Sequence, residues 1–149
     1  MIAIVIHWER AAWAYKSKEA LRKIQKWHTF GMKAYGVNKL LIVDVDKSNP
    51  NWSDAEMKVD NYATLERALE EIPEYEFVYV EYGVPGSIPL SEYKHPKNSA
   101  YIFGSDYGAT LEPKKKDCVL IEQSGEYPYL WAAQCIPIVL HDRYVKENM

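Results

Sequence analysis

The sequence predicts an α/β domain built on a mainly parallel sheet with helices on both faces. Short apolar runs recur along the chain, each closed by turn residues, and between them lie segments whose apolar residues repeat at helical spacing. Alternation of the two patterns is what strands joined by crossover helices produce. With 149 residues, 48% of them hydrophobic, the chain can bury one core without disulfides or metals, and residues 1–149 read as a single domain.

The first run, Ile2 to His7 (IAIVIH), lacks polar alternation and so predicts a strand covered on both faces. Ser17 is placed to cap a helix with Glu19 in its first turn, and Ala20, Leu21, Ile24, Trp27, His28, Gly31 and Tyr35 form the apolar stripe. Gly36 supplies the stop. Lys39 to Asp46 (KLLIVDVD) predicts a second buried strand, followed by the polar loop KSNPNWSDAEM. Leu65, Ala68, Leu69 and Ile72 mark a second helix ended by Pro73. Phe77 to Tyr82 predicts a third strand, running into the loop GVPGSIPLSEYKHPKN. Ser99 to Phe103 and Cys118 to Ile121 predict two further strands around the turn GSDYGATLEPKKKD. Leu130 to Lys146 predicts a last helix, bent where Pro137 removes a backbone hydrogen bond. In such a sheet, ligands are expected at the carboxyl ends of the strands.

Composition narrows the setting. Cys118 and Cys135 lie in apolar surroundings without metal-ligand spacing, which predicts buried thiols in a reducing compartment. The longest uncharged run, Tyr127 to Leu140, contains Gln134 and two prolines and is too short to span a bilayer. A soluble, cytoplasmic protein is expected. The net charge of −3 hides an asymmetry: Arg10 to Lys39 carries eight basic residues against Glu19 alone. That segment forms either a solvated helix face or a phosphate-binding one.

No G-x-G-x-x-G follows the first strand, and neither a phosphate-binding G-x-x-x-x-G-K-[ST] loop nor a G-x-S-x-G elbow is present. Dinucleotide, nucleotide-hydrolysis and serine-hydrolase readings therefore lack their loops. His7, His28, His95 and His141 show neither i, i+4 pairing with one another nor a C-x-x-C companion, so no metal site is expected. Among the 12 tyrosines and five tryptophans, Trp52, Tyr82, Tyr107 and Trp131 are candidates for stacking on bases, although core and interface roles account for most such residues.

The last third is the most specific part of the sequence. An apolar strand enters YIFGSDYGATLE, another ends in VLIEQ, and YLWAAQCIPIVLHD begins six residues later. In order and spacing these segments resemble the SpoU-like branch of the SPOUT superfamily, whose hallmarks are an FG-x-E turn, an I-P-M strand end and an S-L-N helix opening. IAIVIHWE and FGMKAYGVNKLLIVD resemble that family's first strand, first helix and second strand, extending the resemblance over nearly the whole chain. It implies a C-terminal trefoil knot, S-adenosylmethionine as cofactor, a homodimer that shares its pocket and buries the last helix, and methylation of a ribose 2'-hydroxyl in tRNA.

Position for position, the resemblance implies a cofactor pocket lined by Tyr79, Gly83, Gly104, Asp106, Ile121, Tyr129 and Leu130. Glycine at 104 would let backbone groups approach the cofactor edge. Several family residues are replaced. The catalytic arginine, six residues before the glycine that ends the first helix, is Phe30 here; I-P-M is Ile121-Glu122-Gln123; the acid of FG-x-E is Asp106; and the Ser and Asn of S-L-N are Tyr129 and Trp131. A ribose hydroxyl needs a base or an electrostatic stabiliser. Arg10, just after the first strand, is the candidate catalytic residue in place of the lost arginine, with Arg22, Lys26 and His28 behind it. The alternative is a non-catalytic relative that binds S-adenosylmethionine, a nucleoside-like ligand or RNA to sense or to block.

Overall fold

The computed structural model describes residues 1–8, 17–44, 52, 57–104, 117–126 and 130–149. Seven strands form one sheet: β1 (Ile2–Trp8), β2 (Lys39–Asp44), β3 (Val59–Tyr62), β4 (Glu76–Val80), β5 (Ile88–Pro89), β6 (Ser99–Phe103) and β7 (Asp117–Leu120). Their order is β3-β2-β1-β6-β4-β7-β5, and every pair is parallel. Three helices complete the described fold: α1 (Lys18–Ala34), α2 (Leu65–Glu70) and α3 (Ala132–Glu147). The expected parallel α/β architecture is the one observed.

Alternation along each strand divides the core in two. Ile4, Ile6 and Trp8 of β1, with Tyr101 and Phe103 of β6, face Ile24 and Met32 of α1 and Ile136, Val139 and Leu140 of α3. Ala3 and Val5, with Ala100 and Ile102, turn to the opposite face and pack with Ala68, Ile72 and Tyr75. Ile4, Leu40, Ile42 and Ile136 are each 0% exposed, and burying one such side chain contributes about 1.5–3 kcal/mol.

Local signals set the helix ends. The Ser17 hydroxyl accepts the Ala20 N–H at 3.2 Å. Past α1 the chain turns at Gly36, whose φ of 71° suits a residue without Cβ, and the Val37 N–H bonds back to the Met32 carbonyl at 3.0 Å, so a glycine stop ends α1. The helix α3 runs through Pro137 without interruption. Where it crosses α1, a Cβ added to Gly31 would lie 3.2 Å from the Cβ of Pro137, so the absent side chain lets the proline ring seat.

Trp27 departs from the expected stripe. It is 54% exposed, because the buried arc of α1 comprises Ile24, Gln25, His28, Thr29 and Met32 and Trp27 lies beyond its margin. Trp52 departs in the other direction. At 5% exposure it packs edge-on against Trp8 and His28, with ring centroids 5.4 and 6.0 Å away, and so belongs to the core rather than to a stacking surface. β3 and β5 lie in stretches with no apolar run to announce them.

The C-terminal half of α3 is fastened by a buried polar network. Arg143, 4% exposed, donates to the Ser99 and Tyr101 hydroxyls at 2.8 and 3.1 Å and to the Pro96 and Lys97 carbonyls at 2.9 and 2.8 Å. His95 lies between Tyr101 (Nδ1 to hydroxyl, 2.6 Å) and Asp142 (Nε2 to carboxylate, 2.8 Å). Asp142 can only accept, so Nε2 carries the proton and Nδ1 accepts from Tyr101. Lys146 also pairs with Asp142, at 2.7 Å.

Burial lowers the His95 pKa; Asp142 opposes this, and Lys146 and Arg143 add to it. A histidine whose folded pKa lies below its unfolded value contributes stability in full above about pH 6.5, and that contribution is lost as pH falls through the folded pKa. Urea unfolding between pH 7.5 and 5 should therefore show wild type losing stability faster than His95→Gln. At pH 7.5 the variant should be weaker by about 1–3 kcal/mol, the cost of unpairing buried groups. Parallel curves would remove His95 from the acid response.

Candidate functional site

Seven parallel strands present their carboxyl ends along one edge, and the pairing register aligns them there. Trp8 of β1 lies beside Asp44 of β2, Ile6 of β1 beside Phe103 of β6, Phe103 beside Val80 of β4, and Val80 beside Val119 of β7. The Glu81 N–H continues the last ladder to the Val119 carbonyl at 3.2 Å. The chain therefore leaves β4, β6 and β7 side by side, with Gly83, Gly104 and Ile121 three, one and one residues beyond the respective strand ends.

Two of these three residues carry no side chain. Gly83 has φ 77° and is exposed, with nothing within 4 Å of the place a Cβ would take. Gly104 is half-buried directly beyond the central strand β6. Ile121 and Leu130 are half-buried apolar residues, and Leu130 stands two residues before α3. The Trp131 N–H is held by the Gln134 side chain at 2.9 Å. An indole offers no acceptor in return, so the first turn of α3 lacks the polar cap that a Ser or Asn would give. Tyr82 and Trp131 are 49% and 42% exposed.

The candidate residues thus divide. Gly83, Gly104 and Ile121 follow neighbouring strands at the carboxyl edge, and Leu130 opens the helix that packs on the α1 side of the sheet. Tyr79 lies within β4, 3% exposed, in the core covered by α2; at the edge it can offer only backbone. Arg10, Asp106, Tyr107 and Tyr129 fall outside the described residues. Phe30 is 69% exposed on α1, and His28, 2% exposed, points its Nδ1 at the Ile24 carbonyl at 2.8 Å. A carbonyl only accepts, so the proton is on Nδ1.

One contact at this edge has no counterpart in the sequence reading. Both oxygens of Glu122 accept from Ser91, one from its N–H at 2.8 Å and one from its hydroxyl at 2.6 Å. The Ser91 hydroxyl and then its N–H hold the Glu122 carboxyl below the usual carboxylate range. This clamp ties the end of β7 to the 3-10 turn Leu90–Glu92. Its sequence signal is an acid at the place where I-P-M has proline, with a serine 31 residues earlier.

Among the described residues no group of three His, Cys, Asp or Glu side chains could hold a metal ion, and no helix is long and apolar enough to cross a membrane.

No protein-family model and no curated protein matches the sequence. The structure matches several solved ones. It covers 99% of this chain and 77% of the TrmH/SpoU tRNA modifying enzyme of A. aeolicus, with TM-score 0.68 and 10% identity. It covers 99% of this chain and 96% of the chain in a structure concerned with 2-OH methylation of C/U34 on tRNA, with TM-score 0.67 and 14% identity. An RNA 2'-O ribose methyltransferase matches all of this chain over 57% of its own length, with TM-score 0.66 and 12% identity. The chain has the fold that these structures share.

Proposed function

We propose that the protein is an S-adenosylmethionine-dependent RNA methyltransferase of the SpoU-like SPOUT type, methylating a ribose 2'-hydroxyl of tRNA as a cytoplasmic homodimer. The observation that carries this reading is the agreement of fold over 99% of the chain with a tRNA modifying enzyme, joined to the FGSDYG, VLIEQ and YLWAAQCIPIVL segments that prompted the same reading from sequence. The single domain and the C-terminal trefoil knot belong to the proposal.

The edge fits the cofactor in one testable respect. Side-chain-free positions at Gly83 and Gly104, just beyond the neighbouring strands β4 and β6, would leave backbone N–H and C=O groups open to a flat, polar ligand. Ile121 and Leu130 offer it apolar walls. Asp106, Tyr129 and the backbone of Tyr79 would complete the lining. When bound, S-adenosylmethionine supplies an electrophilic methyl group. The protein must then orient the ribose hydroxyl and stabilise charge developing on its oxygen, and Arg10, following β1, is assigned that role.

Dimerisation draws support from α3. Beyond its inward residues, α3 exposes Ile138 (39%), Tyr144 (54%) and, at its N-cap, Trp131 (42%), which suit a subunit interface.

The non-catalytic reading rests on Phe30, an exposed ring where the family has its arginine. Nucleoside mass spectrometry of total tRNA incubated with protein and S-adenosylmethionine separates the two readings: a 2'-O-methylated nucleoside is expected. Light scattering should return about twice the 17.3 kDa chain mass. No methylation from S-adenosylmethionine, by protein that binds S-adenosylhomocysteine in a separate titration, would favour the binder, and a monomer at tens of micromolar, where an obligate dimer should persist, would remove the shared pocket.

A further inference from the structure

The outer face of α1 has no role in the sheet edge or in the contact with α3. Lys23, Lys26, Trp27, Phe30, Lys33 and Ala34 fall at i, i+3, i+4, i+7, i+10 and i+11, one continuous stripe on a helix, and all six are exposed. Trp27 and Phe30 are 54% and 69% exposed. Two large rings one turn apart gain free energy from whatever covers them.

Charge selects the occupant. The polar members of the stripe are all cations, Lys18 and Arg22 flank it, and Glu19 is the single acid of α1. Among the described residues Glu19 pairs with Lys23, at 3.9 Å and well exposed, where such a pair is worth little. Two-fold packing of this stripe on a second copy would oppose lysine to lysine. A polyanion with flat apolar faces meets both demands: rings receive bases, and ammonium groups receive phosphates. In a duplex the base faces are already stacked, so the match is to unpaired nucleotides. From Lys23 to Lys33 the helix rises about 15 Å, room for two bases.

We infer that the outer face of α1 binds two unpaired nucleotides of the RNA substrate, stacking them on Trp27 and Phe30 with Lys23, Lys26 and Lys33 on the flanking phosphates. This rests on the RNA methyltransferase reading and adds that the RNA is presented as a loop or a single-stranded end. It also gives Phe30 a function where the family has its arginine.

Fluorescence anisotropy with a short labelled oligoribonucleotide, single-stranded or annealed to its complement, tests this across a salt series. Wild type should favour the single strand. Trp27→Ala and Phe30→Ala should each weaken binding about tenfold without changing the salt slope, Trp27→Phe should retain most affinity, and Trp27→Leu should behave like alanine. Lys23→Ala and Lys26→Ala should each lower the salt slope by roughly 0.7. Circular dichroism and S-adenosylhomocysteine binding check that each variant is folded.

Unchanged RNA affinity in both ring variants, with wild type binding RNA, overturns this inference and leaves the methyltransferase reading standing. Ring variants that keep RNA affinity but become monomers assign the face to the subunit interface and overturn it as well. A wild type that binds neither form of RNA, while binding S-adenosylhomocysteine, removes this inference and the RNA substrate together.

Discussion

Gly104→Val is expected to weaken binding of S-adenosylhomocysteine about 5- to 150-fold while leaving the domain folded. Gly104 follows β6, the strand between β1 and β4 in the sheet order, and it stands beside the point where the chain leaves β4, with the end of β7 one strand further on. A cofactor read by backbone groups at this edge must approach within hydrogen-bonding distance, and a β-branched side chain fills that space. Overfilling a well-packed site costs about 1–3 kcal/mol, or about 5- to 150-fold in affinity. Because Gly104 is half-buried rather than part of the core, the loss should appear in titration calorimetry and not in the urea midpoint. Gly83→Ala serves as a contrast: its φ of 77° makes any side chain strained by about 1–2 kcal/mol, so that variant should lose stability. Equal affinity in wild type and Gly104→Val, or no binding by wild type, sinks the cofactor site.

What could be read from the sequence follows from where each element lies. β1, β2, β4 and β6 sit inside the sheet with both faces covered, so their residues form unbroken apolar runs such as IAIVIH and KLLIVD. β3 is an edge strand whose sequence, VDNY, is half polar and only partly buried. β5 is the other edge: two residues, one of them a proline that lacks a ladder donor, which only an edge strand tolerates. Neither produces a pattern long enough to recognise. α1 was legible in its ends and period but not in its width, because spacing alone does not say how many degrees of a helix are covered. That is why Trp27 reads as core and is exposed.

The site was legible where chemistry depends on the backbone and obscure where it depends on distant side chains. Gly83 and Gly104 stand out because glycine beyond a strand end is a local feature. The Ser91–Glu122 clamp joins residues 31 apart, and the burial of Arg143 depends on Pro96, Lys97 and Ser99, 44 to 47 positions away. Arginine is ordinarily exposed, and no periodicity marks one whose partners come from a loop and a strand distant in sequence.

Arg10→Ala is expected to lower methyl transfer to total tRNA by about 10²-fold or more, with S-adenosylmethionine affinity nearly unchanged. The argument starts from the acceptor. A ribose hydroxyl attacks only if its proton is taken or its growing negative charge is met, and the family meets this need with an arginine on the first helix. Here that position is Phe30, 69% exposed and unable to carry charge. If the chain is a methyltransferase, a cation has to come from elsewhere, and β1 ends at Trp8 on the same sheet edge as Gly104. A group used only in the transition state lowers turnover without altering ground-state binding of the cofactor. Arg22→Ala and Lys26→Ala, on the exposed face of α1, should instead weaken RNA binding through charge and show as a rise in KM that salt abolishes. Turnover unimpaired in Arg10→Ala would clear Arg10 and pass the role to Arg22 or Lys26, since His28 is buried with its Nδ1 bonded to the Ile24 carbonyl. If wild type binds the cofactor yet methylates no RNA, and Phe30→Arg does, the pocket is whole and has lost only its arginine.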